Sequence, residues 1–91
     1  MLFEWNPVKA RENLKKHSVS FEEASTAFED ELSITIEDPF HSLDEDRFIL
    51  LGFSKKTRLL AVVHTDRHDR VRIISARVAS RKERKDYEES I

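Results

Sequence analysis

Between residues 64 and 87 the chain places His64, Arg72, Arg77, Arg81 and its single tyrosine, Tyr87. These are the groups that chemistry on a phosphodiester uses. Guanidiniums grip phosphate oxygens in pairs of hydrogen bonds, and an imidazole changes charge near neutral pH. RNA carries its own nucleophile, the 2′-OH. A site that holds the phosphate, takes the 2′ proton and protonates the leaving 5′ oxygen therefore needs no metal. Residue types and spacing support an RNA or phosphate binder and do not by themselves show cleavage.

Each of these residues also has a structural reading. His64 ends an apolar run, so it is either a satisfied histidine at the rim of the core or a proton carrier and phosphate ligand beside Arg77. Tyr87 either packs its ring on a sheet or aims its hydroxyl at a site. His68 stands four residues after His64, but the tetrapeptide Asp66-Arg67-His68-Asp69 reads as a turn. Helical i,i+4 ligand geometry does not apply there, and neither a metal nor a cofactor is expected. Arg81, Lys82, Arg84 and Lys85 crowd the start of the last helix, where the helix dipole disfavours cations. Either an anion such as phosphate binds there, or Lys82–Asp86, Arg84–Glu88 and Lys85–Glu89 form ordinary i,i+4 pairs.

The elements that must position these groups are legible in order. Residues 2–5 form a first strand. Asn6-Pro7 starts a helix running to about Lys16, with Asn as cap and Pro at the first helical position. Ser20-Phe21-Glu22-Glu23 opens a second helix as a capping box, Val19 staples against Ala24, and Phe21, Ala24 and Phe28 form its core stripe. Residues 32–37 alternate as a strand with one wet face. An acidic loop over residues 38–46 leads to a strand over 47–53, with Gly52 at a bulge or bend. The apolar runs 59–63 and 71–74 flank the tetrapeptide as a hairpin. With Thr65 paired to Arg70, Leu60, Val62, His64, Ile73, Ser75 and Arg77 would share one face. Ser80-Arg81-Lys82-Glu83 is a further capping box, opening the last helix. The expected fold is α+β: an antiparallel sheet of four to five strands, with two N-terminal helices and one C-terminal helix on one side.

Composition narrows the class. Ninety-one residues without cysteine make one domain, residues 1–91, with neither disulfide nor thiolate site. No apolar run approaches the ~20 residues of a membrane span, so a cytoplasmic protein without membrane contact is expected. The net charge of −2 hides an asymmetry. Ten acids and no Lys or Arg occupy residues 22–46, whereas twelve Lys and Arg face three acids over residues 47–85. A basic face of this kind binds a polyanion locally, unless the two blocks interleave in space.

The segments FEWNPVKARENLKKHSVSFEEA, DEDRFILLGFS, LLAVVHT and RIISARVASRKERKDYE together resemble the BrnT family of bacterial toxins of type II toxin–antitoxin systems. The resemblance covers nearly the whole chain. It implies a RelE-like fold and a metal-independent endoribonuclease that inhibits translation. Its implied partner is a BrnA-like ribbon-helix-helix antitoxin, which neutralises the toxin and carries any contact with operator DNA. The family pattern falls on Lys16-His17, Asp46-Arg47-Phe48, His64-Thr65, Arg72, Ser75-Ala76-Arg77, Arg81, Glu83, Arg84 and Tyr87. On it, His64, Arg77, Arg81 and Tyr87 are the catalytic candidates: the arginines for phosphate charge, His64 and Tyr87 for proton transfer. Lys16, Arg72, Arg84 and Lys85 are the RNA-binding candidates. The chain departs from the pattern at Ser18, where Gly is usual and a serine would strain a left-handed helix end, and at Val78, often Arg.

Two other functions fit the same residues. One is a nucleic-acid-binding module without turnover, marked by salt-sensitive binding and no cleavage products. The other is an interaction protein whose basic face holds an acidic partner.

Overall fold

In a computed structural model, residues 1–39 and 46–91 are described. The elements run β1 (Leu2–Glu4), α1 (Pro7–His17), α2 (Phe21–Thr26), a 3-10 turn (Ala27–Glu29), β2 (Ile34–Glu37), β3 (Phe48–Phe53), β4 (Leu59–Arg67), β5 (Arg70–Val78) and α3 (Arg81–Glu89). Most of the acidic loop expected over 38–46, residues 40–45, lies outside the described residues.

The helix starts follow local chemistry. Asn6 Oδ1 accepts from the amides of Val8 at 2.8 Å and Lys9 at 3.2 Å, with Pro7 at the first helical position. Ser20 accepts from the Glu23 amide at 3.0 Å. The second half of that box is missing, because the Glu23 carboxylate turns to Arg58 and Ser54. Around Ser80 both halves of the box form. α1 ends with Ser18 left-handed, φ 58° and ψ 31°, its amide donating to the Leu14 carbonyl. A Cβ is unfavourable in that conformation, which is the strain expected of a serine there.

The fold is α+β with one five-stranded sheet in the order β1-β5-β4-β3-β2. Two features differ from expectation. β1 pairs parallel to β5, so the sheet is mixed. The helices also cover both faces rather than one. Alternation along the strands explains this: Leu50, Leu60 and Val62 pack under Val19, Phe21, Ala24 and Ala27 of the N-terminal helical layer. Their neighbours Ile49, Leu51, Leu59 and Ala61 face the other way, toward Tyr87 of α3. Phe21 is fully buried, a contribution of roughly 2–3 kcal/mol. Among the described residues no helix is long and apolar enough to cross a membrane.

The hairpin is tighter than the tetrapeptide suggested. Arg67 pairs with Arg70, and only His68 and Asp69 turn the chain. His68 takes a φ of 58°, which suits the twist of a two-residue connection. Thr65 consequently faces Arg72 rather than Arg70. Val63 faces Ser75 and His64 faces Ile73, leaving Ile74 as a bulged residue. The irregularity is therefore here, and not at Gly52, which pairs regularly with Leu60.

Gly52 has a different reason. A Cβ there would lie 2.7 Å from the Ala27 carbonyl oxygen. Backbone stands on both sides of that contact, so neither partner yields easily. Gly52→Ala is expected to lower unfolding free energy by about 2 kcal/mol, read from a urea midpoint at unchanged m-value. Beyond β1, the free edge of β5 is closed by a side chain. Buried Asn13 donates to the Ala76 carbonyl at 2.8 Å and accepts from the Ala76 amide at 3.1 Å, as a neighbouring strand would.

Candidate active site

The strongest constellation forms where β5 meets the start of α3. Ser80 caps the helix and its amide donates to Glu83 Oε1 at 2.9 Å. Arg77, three residues before the cap, reaches the same carboxylate with both terminal nitrogens, at 2.6 Å to Oε1 and 3.0 Å to Oε2. The guanidinium is thus held bidentate against a helix N-terminus, a geometry that matches planar oxyanions. The Arg77 hydrogen bonds hold the Glu83 carboxyl below the usual carboxylate range, and Glu83 in turn raises Arg77.

This pair sits in a cleft of about 440 Å³ between the sheet and α3. Ile36, Ile49, Val63 and Arg77 come from β2 to β5, whereas Ser80, Lys82, Glu83 and Asp86 come from the α3 side. Lys82 pairs with Asp86 at 3.2 Å, one of the three i,i+4 pairs considered from sequence. Arg81 and Lys85 are exposed on α3, and the Arg84 guanidinium lies 5.8 Å from the centre of the Phe53 ring.

Arg72 shares this face of the sheet. It stands opposite Thr65, which alternates with Val63 and Ala61, and residues directly opposite across a ladder point the same way. Five residues separate Arg72 from Arg77, an odd step that would normally place them on opposite faces. The bulge at Ile74 restores them to one face. Arg72 is ion-paired to Glu4 of β1 at 2.8 Å.

Two candidates stand elsewhere. His64 is on the opposite face from Arg77, so the shared face expected from the Thr65–Arg70 register is not formed. Its ring packs edge-on to Phe28 at 4.9 Å and tilted against Phe48 at 6.0 Å. Burial holds its pKa below the usual histidine value, against the opposing pull of the Val62 carbonyl and Asp66. Tyr87 is buried on the α3 face, where its hydroxyl donates to Asp30 Oδ2 at 2.6 Å and its ring meets Phe53 at 5.5 Å. The structure therefore brings Arg72, Arg77, Arg81 and the α3 cations to one side of the sheet and separates His64 from Tyr87. Lys16 lies on α1, beside Lys9 and His17 at the β5 edge.

Burial and the Asp30 carboxylate push the Tyr87 phenol up to about 12. A raised pKa means that the stability this group contributes is complete below the free-tyrosine value of about 10 and is lost as pH rises through about 12. With one tyrosine in the chain, absorbance at 295 nm reads it directly. Ionisation near pH 12 is expected for the wild type, and an earlier onset for Asp30→Asn.

Sequence reasoning missed Asp30, which accepts from the Phe53 amide at 2.8 Å as well as from Tyr87, and so ties the 3-10 turn, β3 and α3 together. It read Glu83 as a cap and did not see its bond to Arg77. A carboxylate six residues after an arginine carries no spacing signal unless strand, cap and helix are already placed.

Among known structures, the crystal structure of the Brucella abortus ribonuclease toxin BrnT superposes with a TM-score of 0.63 at 20% identity, covering 89% of this chain and all of that one. That likeness shows the fold. No curated protein matches the chain. The family model for the ribonuclease toxin BrnT of type II toxin–antitoxin systems matches residues 5–83. That span takes in α1 through the first turn of α3, with Arg72, Arg77, Arg81 and Glu83 inside it, and the chain belongs to the BrnT family of ribonuclease toxins.

Proposed function

We propose that this protein is a metal-independent endoribonuclease, residues 1–91 forming one toxin domain that cuts RNA in the cytoplasm and so inhibits translation. The observation that carries this reading is the Arg77–Glu83 pair, open to a cleft at the N-terminus of a helix rich in cations. Glu83 is ionised across neutral pH and its carboxylate accepts the 2′-OH proton, with a basicity that the Arg77 hydrogen bonds lower. Arg77 and Arg81 stabilise the negative charge that grows on the phosphate oxygens as the 2′ oxygen attacks. Lys82, which lines the cleft and pairs with Asp86, protonates the leaving 5′ oxygen in this reading. Arg72, Arg84 and Lys85 extend the cationic track for neighbouring phosphates, and Lys16 is a further contact for a strand that rounds the β5 edge. In this reading His64 and Tyr87 leave the proton-transfer roles: His64 lies across the sheet, and the Tyr87 proton is held by Asp30.

A family of type II toxins brings a cognate antitoxin. The finer proposal is a BrnA-like ribbon-helix-helix partner, through which alone the complex reaches operator DNA.

The test is cleavage of bulk RNA by purified protein in EDTA, with and without ribosomes. Fragments are expected in both. Salt-sensitive RNA binding with no fragments under any condition would replace the enzyme by a binding module. The structure offers that second reading one argument, since Arg77 and Glu83 already serve each other and the helix cap.

A further inference from the structure

A second cavity lies behind the cleft, on the face of the sheet that carries the 3-10 turn, and the chemistry above does not use it. It holds about 390 Å³, and Phe28, Phe48, His64, Asp66, Ser33 and Thr35 contribute to its lining. His64 is only 5% exposed. Its Nδ1 lies 3.1 Å from the Val62 carbonyl oxygen. A carbonyl only accepts, so Nδ1 carries the proton of the neutral ring and Nε2 presents a lone pair. Among the described residues no side-chain nitrogen or oxygen is both sealed from solvent and unpartnered. Among the described residues Nε2 has no partner, so it is not sealed from solvent, and the ring that carries it lines this cavity. This is a pocket of mixed polarity, with aromatic walls and a few polar groups, the composition of a site for a small flat ligand.

We propose that this pocket takes a guanine base. The groups whose roles are fixed, His64 Nε2 and the Asp66 carboxylate, are both acceptors, so the ligand must bring donors. Guanine has adjacent N1–H and amino donors that fit a carboxylate and a neighbouring lone pair, and its O6 accepts from a hydroxyl such as Ser33 or Thr35. Adenine and cytosine place one amino group beside a ring acceptor, and uracil sets one N–H between two carbonyls. Each leaves an acceptor facing an acceptor. Phe28 and Phe48 supply the apolar walls that an unstacked base needs.

The source of the base is a nucleotide of the RNA strand, which rests on the ribonuclease reading, or a free guanine nucleotide. The fold favours the strand. Thr35 lines this pocket and Ile36, the next residue of edge strand β2, lines the cleft. The two cavities are thus back to back across a sheet edge, on opposite faces of one strand. A single strand leaving the cleft over β2 reaches the pocket within a few nucleotides.

The experiment titrates the four nucleoside 5′-monophosphates, and 2′-O-methyl oligonucleotides with and without a single G, while NMR follows the His64 and Phe48 side chains. Guanosine monophosphate is expected to shift both saturably, with the other three at least tenfold weaker. Asp66→Asn, which turns one acceptor into a donor, is expected to weaken that binding at least tenfold. Tighter binding of the G-containing oligonucleotide than of the monophosphate supports the strand as source, and equal binding supports the free nucleotide. Equal affinity for all four bases, or no shift with any of them, overturns the proposal. Bulk RNA cleavage measured beside it reports on the ribonuclease reading separately, since the non-cleavable ligands bind whether or not the cleft is active.

Discussion

Arg77→Lys is expected to lower RNA cleavage about 100-fold while leaving the fold in place. Lysine keeps the positive charge near Glu83 and loses the planar fork that meets the carboxylate at two points, 2.6 Å and 3.0 Å. A phosphate entering the cleft would lose the same fork. The variant separates charge from geometry: if attraction alone mattered, lysine would preserve most of the rate. Arg77→Ala is a poorer test, because it strands a half-buried carboxylate and costs stability as well as activity. An unchanged thermal midpoint with a lost rate assigns Arg77 to the chemistry, whereas a lost midpoint assigns it to the helix cap.

The largest stability effect is expected at a different arginine. Arg58 donates from Nε to Glu23 Oε2 at 2.9 Å and from Nη2 to Glu23 Oε1, and Ser54 Oγ donates to the same carboxylate at 2.7 Å. The Glu23 side chain is 2% exposed and that of Arg58 is 34% exposed. Arg58 also donates to the Ser18 carbonyl at 2.9 Å, so one side chain ties β4 to α2 and to the end of α1. Arg58→Met leaves the stem and removes the charge, stranding a buried carboxylate. A loss of about 2–3 kcal/mol is expected, below the value for a fully buried pair because Arg58 is one-third exposed. For a domain of this size that is roughly 10–20 °C in melting temperature. The double variant Glu23→Gln, Arg58→Met is expected to recover part of the loss, because no uncompensated charge then remains.

The sign of the pH dependence follows from the same bonds. The Glu23 carboxyl is held below its usual value, chiefly by the Arg58 hydrogen bonds. Its contribution is therefore complete above the unfolded value of about 4.3 and is lost as pH falls through the lower folded value. Glu83 and Asp30 are lowered too and act in the same direction. The wild type is expected to lose stability below about pH 4.5, with a shallower acid limb in Arg58→Met.

What was legible in the sequence was what four or five neighbouring residues decide. Asn6-Pro7 and Ser80 through Glu83 announce helix starts because the groups that satisfy the first amides lie within one turn. The alternation in residues 32–37 and the apolar run within 47–53 give strands for the same local reason. What a single extra residue or a distant partner decides was not legible. The bulge at Ile74 sends His64 and Arg77 to opposite faces and returns Arg72 and Arg77 to one, yet no composition or spacing marks it. The parallel place of β1 beside β5 depends on Phe3 reaching the core under the helices. Gly52 looked like a bend and is a contact, since the reason for it is the Ala27 carbonyl, 25 residues earlier in the chain. Of the candidate groups, the arginines were found by type. Their arrangement around Glu83 needed the fold, and Asn13 and Asp30 act through partners that sequence distance conceals.

The central claim is that the cleft at the start of α3 cuts RNA by using the 2′-OH of its substrate. The end groups of the products test it most directly. Bulk RNA treated in EDTA with wild type and with Arg77→Lys of matched stability would be analysed for 2′,3′-cyclic phosphate and 5′-hydroxyl termini. The expected result is both termini from the wild type and about 100-fold fewer from the variant. Fragments ending in 3′-hydroxyl and 5′-phosphate, or equal yields from the two proteins, would contradict it.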